Sequence, residues 1–213
     1  MVEGLYMSFI KRCLFVLSVF SCLSCQITQP LKLKNRKIEF IPIILGFDKN
    51  DIYNNGEHFQ VLAIAEYMLL NQLNITLKSS KIFYTSEYFD MQMCRYEEFD
   101  YINRIDIGEL VDYQCDDTKI IIFMEYVNQC LNLRGCADLA GILNTEPTRM
   151  FFYLTGNSFD DSYVLVHEIG HILGADHISN GYIMHPYTTE TNNYEFCEES
   201  KKQIDETLQN IAL

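Results

Sequence analysis

The sequence predicts one α/β domain, a mostly parallel twisted sheet layered with helices, and three observations carry that reading. Strand-like apolar runs alternate with helix-spaced segments through the early part of the chain. One run, Ile120-Ile121-Ile122-Phe123, is apolar without interruption, as in a strand covered on both faces of a parallel sheet. Two helical segments then close the chain, with no repeat, low-complexity tract or linker to divide it.

Composition bounds what such a domain can do. At 213 residues the chain is long enough for one full hydrophobic core. A formal charge of −13 provides no basic face for phosphates, which excludes a nucleic-acid partner. The acidity reads mainly as a solvated, self-repelling surface, with a mild preference for cationic substrates as the sharper alternative.

The N-terminus reads as an address. Lys11 and Arg12 precede an apolar run from Cys13 to Leu23, which ends in small residues around Ser24 and Cys25. That order is a secretory signal peptide over residues 1–25, and the run is too short to cross a bilayer comfortably. Export without a stable membrane anchor, as a monomer, is therefore expected. Eight cysteines fit an oxidising compartment. Cys94, Cys115, Cys130, Cys136 and Cys197 lie beyond the leader, show no C-x-x-C spacing, and should mostly pair. Asn74-Ile75-Thr76 is an N-glycosylation sequon that export would make usable.

Residues 26–37 are a polar arm or short pro-segment ending in Lys34, Arg36 and Lys37. The main domain then runs over residues 38–213. Ile38 to Leu45 is a strand in which Pro42 suggests an irregular or edge position. Glu57 to Leu73 places Leu62, Ala65, Leu69 and Leu73 at helical spacing. Ile75 to Tyr84 alternates as a strand, Glu97 to Val111 is a further helix, and Lys119 to Val127 is the buried strand. Gly135 to Leu143 is a small-residue segment suited to an edge strand. Met150 to Leu154 is a strand that leads through a Gly156-Asn157 turn to a helix over Ser162–Leu173, capped by Asp160-Asp161-Ser162. Glu198 to Ile211 is the final helix.

The chemistry is concentrated in Val166-His167-Glu168-Ile169-Gly170-His171-Ile172-Leu173-Gly174-Ala175-Asp176-His177. Residues four apart on a helix share a face, so the His167 and His171 imidazoles can reach one cation. Gly174 can take the left-handed conformation that stops a helix and turns the chain, bringing His177 back as a third ligand. Zinc accepts three neutral nitrogens and keeps one position for a water whose pKa falls towards neutrality. Glu168 points about 100° from His167 on the helix and is better placed to take a proton from that water than to bind metal. The bland alternative, three unrelated surface histidines, would put three of the chain's five histidines at ligand spacing by chance. His58 and His185 lack such company and read as ordinary polar residues.

His167-Glu168-x-x-His171-x-x-Gly174-x-x-His177 resembles the zinc signature of the metzincin peptidases, and Tyr182-Ile183-Met184 resembles their Met-turn. The resemblance implies the metzincin zincin fold: a five-stranded, mostly parallel sheet with an antiparallel edge strand, an active-site helix and a C-terminal helix. It implies one catalytic Zn2+, with Met184 as an apolar floor that does not bind it. Gly181-Tyr182-Ile183-Met184, then Asn192-Asn193-Tyr194-Glu195-Phe196-Cys197, is similar to the end of an ADAM (adamalysin, reprolysin) catalytic domain. Gly135, Cys136, Ala137 and Leu139 resemble the strand that lines the substrate cleft there. That likeness also implies a Cys115–Cys197 disulfide and an apolar residue after the scissile bond. Two features depart from it: Ile178 follows the third histidine where ADAM proteins usually carry Asp, and Met184-His185-Pro186-Tyr187 is closer to the matrixin turn.

The expected function is a secreted zinc metalloendopeptidase that hydrolyses internal peptide bonds, with protein or peptide substrates laid antiparallel along Gly135–Leu143. The alternative from another class is a secreted binding module that keeps the zinc site without cleaving. The retained Glu168 speaks against it, because losing the base is the simplest route to such a protein.

Overall fold

A computed structural model describes residues 33–45, 56–79, 81–85, 119–126, 134–145, 147–179, 181–186 and 193–211, all within one compact unit, Lys32–Leu213. The leader, the expected helix at 97–111, and Cys94, Cys115 and Cys130 lie outside the described residues. No helix among those described is long and apolar enough to cross a membrane.

The sheet is built around β1 (Arg36–Leu45), β4 (Ile120–Tyr126) and β6 (Thr148–Leu154), which pair in parallel. β2 (Ile75–Lys78) and β3 (Phe83–Tyr84) both lie parallel to β1, and β5 (Gly135–Ala137) runs antiparallel on β6, giving the order β2-β1-β4-β6-β5. The mostly parallel sheet with an antiparallel edge strand is thus present. Among the described residues it has six strands where five are expected, because the segment Ile75–Tyr84 breaks in two. β2 covers Arg36 to Glu39 of β1, and β3 covers Ile43 and Ile44.

That break explains Pro42. Of the irregular or edge position expected, the edge is wrong, since β1 is paired on both sides. Pro42 faces Ile122 on β4 and falls, on the other side, between the end of the β2 register and the start of the β3 register. A missing N–H costs the ladder little there. β1 also starts two residues before the apolar run, taking Arg36 and Lys37 from the polar arm.

Ile120, Ile122 and Met124 on one face of β4, and Ile121 and Phe123 on the other, are all buried, as an uninterrupted apolar strand requires. Helix α1 (Glu57–Leu73) buries Val61, Ala65, Met68, Leu69 and Leu73 in the core and leaves Leu62 partly covered. It packs against α2 (Ser158–Ile172), where the Ser162 hydroxyl donates to the Val61 carbonyl at 3.1 Å. α2 begins four residues earlier than expected. Asn157 caps it by accepting the Asp160 N–H at 3.3 Å, while Asp161 is withdrawn into a buried pair with Arg134.

The last helix, α3 (Glu198–Gln209), fixes itself to the core through Ile204 and Leu208. Cys197 caps it, its sulfur accepting the Ser200 N–H at 3.4 Å. Its thiol is free, so the expected Cys115–Cys197 disulfide is not formed. The sulfur is turned into the first turn of α3 instead. Beyond Ala137 the expected edge strand also stops: Ala140 takes a left-handed conformation and Gly141–Leu143 is a 3-10 turn.

Candidate metal centre

Three imidazoles meet at the end of α2. His167 Nε2 and His171 Nε2 lie 3.1 Å apart, and His171 Nε2 and His177 Nε2 lie 3.0 Å apart. Among the described residues this is the one group of three metal-binding side chains whose ligand atoms gather within 4.8 Å.

The opposite ring nitrogens decide the protonation. His167 Nδ1 donates to the Ile183 carbonyl at 2.7 Å, and His171 Nδ1 donates to the Ala175 carbonyl at 2.8 Å. A carbonyl oxygen can only accept, so each Nδ1 carries the hydrogen and each neutral ring presents a bare Nε2 lone pair. Burial, reinforced by His171, pushes the His167 imidazole down to about 3, and burial lowers His171 as well. Both shifts favour the neutral ring. Two bare lone pairs at 3.1 Å have no hydrogen to share and repel unless a cation lies between them. Neutral imidazole nitrogens are a donor set that suits Zn2+ and leaves a coordination position open.

Local sequence explains how the third histidine arrives. The α2 helix ends in a Schellman turn, with Gly174 N–H on His171 O at 2.8 Å and Ala175 N–H on Gly170 O at 2.9 Å. Gly174 has φ 98°, in the left-handed region that glycine alone enters freely. The reversal delivers both the Ala175 carbonyl that orients His171 and, two residues later, the exposed His177.

The segment around Met184 supports the centre from beneath. Its side chain is fully buried, and the sulfur sits 2.5 Å from where a Cβ on Gly170 would lie, so only glycine admits it between the two helical histidines. Ile183 O accepts twice, from His167 Nδ1 and from the Tyr163 hydroxyl at 2.8 Å. Ile178 N–H, next to His177, donates to Met184 O at 3.0 Å and ties this turn to the third histidine.

Glu168 follows His167 on the helix and is buried, and burial pushes its carboxyl up to about 8. Its side chain lies against the backbone of Gly135: a Cβ there would stand 2.7 Å from Oε1. Of the residues expected to line a substrate, Gly135 thus proves to accommodate Glu168, and Cys136 and Ala137 follow it on the edge strand. Leu139 stands well exposed in the turn beyond, and Ala140 N–H donates to His171 O at 2.8 Å. Cys136 is disulfide-bonded.

His58 and His185 stay outside the triad. His58 is buried, with its ring nitrogens against the hydroxyls of Tyr126 at 3.2 Å and Tyr84 at 2.9 Å, and burial lowers its pKa. Sequence reasoning missed Tyr163 and the carbonyls of Ile183 and Ala175. Tyr163 stands four residues before His167 on the same face of α2, which is a signal; a backbone carbonyl leaves none.

The family model described as matrixin matches residues 31–208. No curated protein matches the chain. The family match falls on the matrixins, so the expected ADAM branch is not supported, and the Met184-His185-Pro186-Tyr187 segment already leaned away from it.

Proposed function

The chain belongs to the matrixin family, within the metzincin peptidases, and on that premise we propose that it is a zinc-dependent endopeptidase in which His167, His171 and His177 hold one zinc ion and Glu168 is the general base. The observation that carries this reading is the convergence of three Nε2 atoms, two of them bared by Nδ1–H bonds to carbonyls.

Bound there, zinc supplies Lewis acidity, which acidifies a water and polarises a carbonyl. The protein does the rest. Glu168 takes a proton from the attacking water as its oxygen bonds to the scissile carbonyl carbon, and passes that proton to the amine nitrogen as the C–N bond breaks. Burial alone would hold this carboxyl protonated at neutral pH, whereas a divalent charge on the adjacent histidine favours its ionised form. The edge strand β5 offers main-chain groups to an extended peptide, with Ala137 and Leu139 beside the chain. The leader-like N-terminus and the disulfide at Cys136 support action outside the cell.

The test is cleavage of casein or a peptide library by the purified protein, with and without a chelator, beside Glu168→Ala. Cleavage that stops with chelator and with the substitution is expected. Chelator-insensitive cleavage, or an active Glu168→Ala protein, would sink the mechanism.

A further inference from the structure

The two helical ligands and the third one are held by different means. His167 and His171 project from a buried helix and are each fixed through Nδ1. Asp176 and His177 are exposed, beyond the last turn of that helix, where no core packing holds them. Besides the Ile178–Met184 bond, a side chain of α3 holds this stretch. Gln203 Oε1 accepts the Asp176 N–H at 3.1 Å, and Asp176 Oδ1 accepts the His177 N–H at 2.7 Å. One helical turn on, Thr207 packs beneath Gly174, its Cβ 2.9 Å from where a Cβ on Gly174 would lie. Gln203 and Thr207 share a face of α3 and flank Ile204 and Leu208, which anchor that helix in the core.

We propose that Gln203 is a positioning residue for the metal centre: from α3 it fixes the Asp176 backbone, and through it the direction in which His177 presents Nε2. The inference rests on His177 being a ligand. The entropy of ordering an exposed loop is met in advance by the α3 contact, so an ion finds the third nitrogen already in place. Family membership does not require this assignment, which comes from the Gln203–Asp176 bond and the glycine-only packing at Thr207.

The test is the zinc dissociation constant of the full chain, by competition with a chromophoric chelator, for wild type, Gln203→Met, Gln203→Glu and His177→Ala. Unfolding midpoints are measured in excess chelator alongside. Methionine keeps the length of the side chain and removes the acceptor oxygen; glutamate restores an acceptor. Gln203→Met should weaken zinc binding about tenfold, Gln203→Glu should stay within about twofold of wild type, and the metal-free midpoints should agree. Wild-type affinity in Gln203→Met, or equal losses in the methionine and glutamate variants, would overturn the proposal. So would a lower metal-free midpoint in Gln203→Met with unchanged zinc affinity, which marks a merely structural bond. If His177→Ala binds zinc as wild type does, the reading of the centre fails, separately from the role of Gln203.

Discussion

The Glu168 carboxylate rests on the backbone of Gly135: a Cβ at residue 135 would lie 2.7 Å from Oε1 and 2.8 Å from Cγ of Glu168. An edge-strand glycine thereby sets where the candidate general base sits, although the two residues are far apart in sequence and belong to different elements.

Gly135→Ala is therefore expected to push Glu168 aside while leaving the three histidines untouched. A displacement approaching 1 Å at a catalytic group costs on the order of 10²-fold in rate. Steady-state kinetics should show kcat/KM falling by about that factor, with zinc content per chain unchanged by elemental analysis. Full activity in the alanine variant would mean that Glu168 adjusts freely.

The Arg134–Asp161 pair should be a major element of stability. Asp161 is wholly buried, accepts the Thr155 N–H at 2.8 Å and pairs with Arg134, whose side chain is only 15% exposed. Removing one partner of such a pair strands a charge and costs about 3–5 kcal/mol. Urea unfolding of Asp161→Asn should show a loss near the lower end of that range, since Arg134 retains some contact with water.

His58 should make the fold acid-sensitive. Burial lowers its pKa below the usual 6.5, so the folded protein binds this proton less readily than the unfolded chain. Above pH 6.5 both states are neutral at this residue and its stabilising contribution is fully present. Below it, the unfolded chain takes up the proton first, and stability falls by at most about 1.4 kcal/mol per pH unit until the folded pKa is reached. Urea midpoints of metal-free wild type and His58→Gln, followed from pH 7.5 down to about 5, should show the steeper decline in wild type. Parallel declines would refute the assignment.

Metal removal should lower stability without dismantling the sheet. A ligand that binds only the folded state at 1,000 times its dissociation constant contributes about 4 kcal/mol. Chelator should therefore lower Tm by several degrees, about 4–8 °C for each 1 kcal/mol in a small domain and less in a larger one. Far-ultraviolet circular dichroism at 25 °C should be nearly unchanged, because the core of β1, β4, β6, α1 and α2 is apolar and does not depend on the ion.

Helix α1 was readable to its ends, because Ala65, Leu69 and Leu73 repeat at the helical period and a buried stripe needs nothing more. The buried strand at Ile120 was equally legible. The misreadings lie where one residue serves several purposes. Asp161 reads as a capping residue but is drawn inside by Arg134, and Asn157, four residues earlier, supplies the cap. Pro42 reads as an edge residue but occupies a break between two neighbours that only pairing creates. Cys197 reads as a bridging cysteine but caps α3 as a free thiol.

The grouping of the three histidines was determined by sequence alone: helical spacing places His167 and His171 on one face, and Gly174 supplies a turn that other residues enter only under strain. Such features are local, since a few neighbouring dihedrals settle them. Only the tertiary structure decided what bares and aims those nitrogens, through the carbonyls of Ile183 and Ala175, Met184 beneath Gly170, Gly135 against Glu168 and α3 behind His177. Each of these brings together groups whose contact depends on how the chain closes on itself. Backbone carbonyls, moreover, are the same at every position, and only the fold distinguishes one from another.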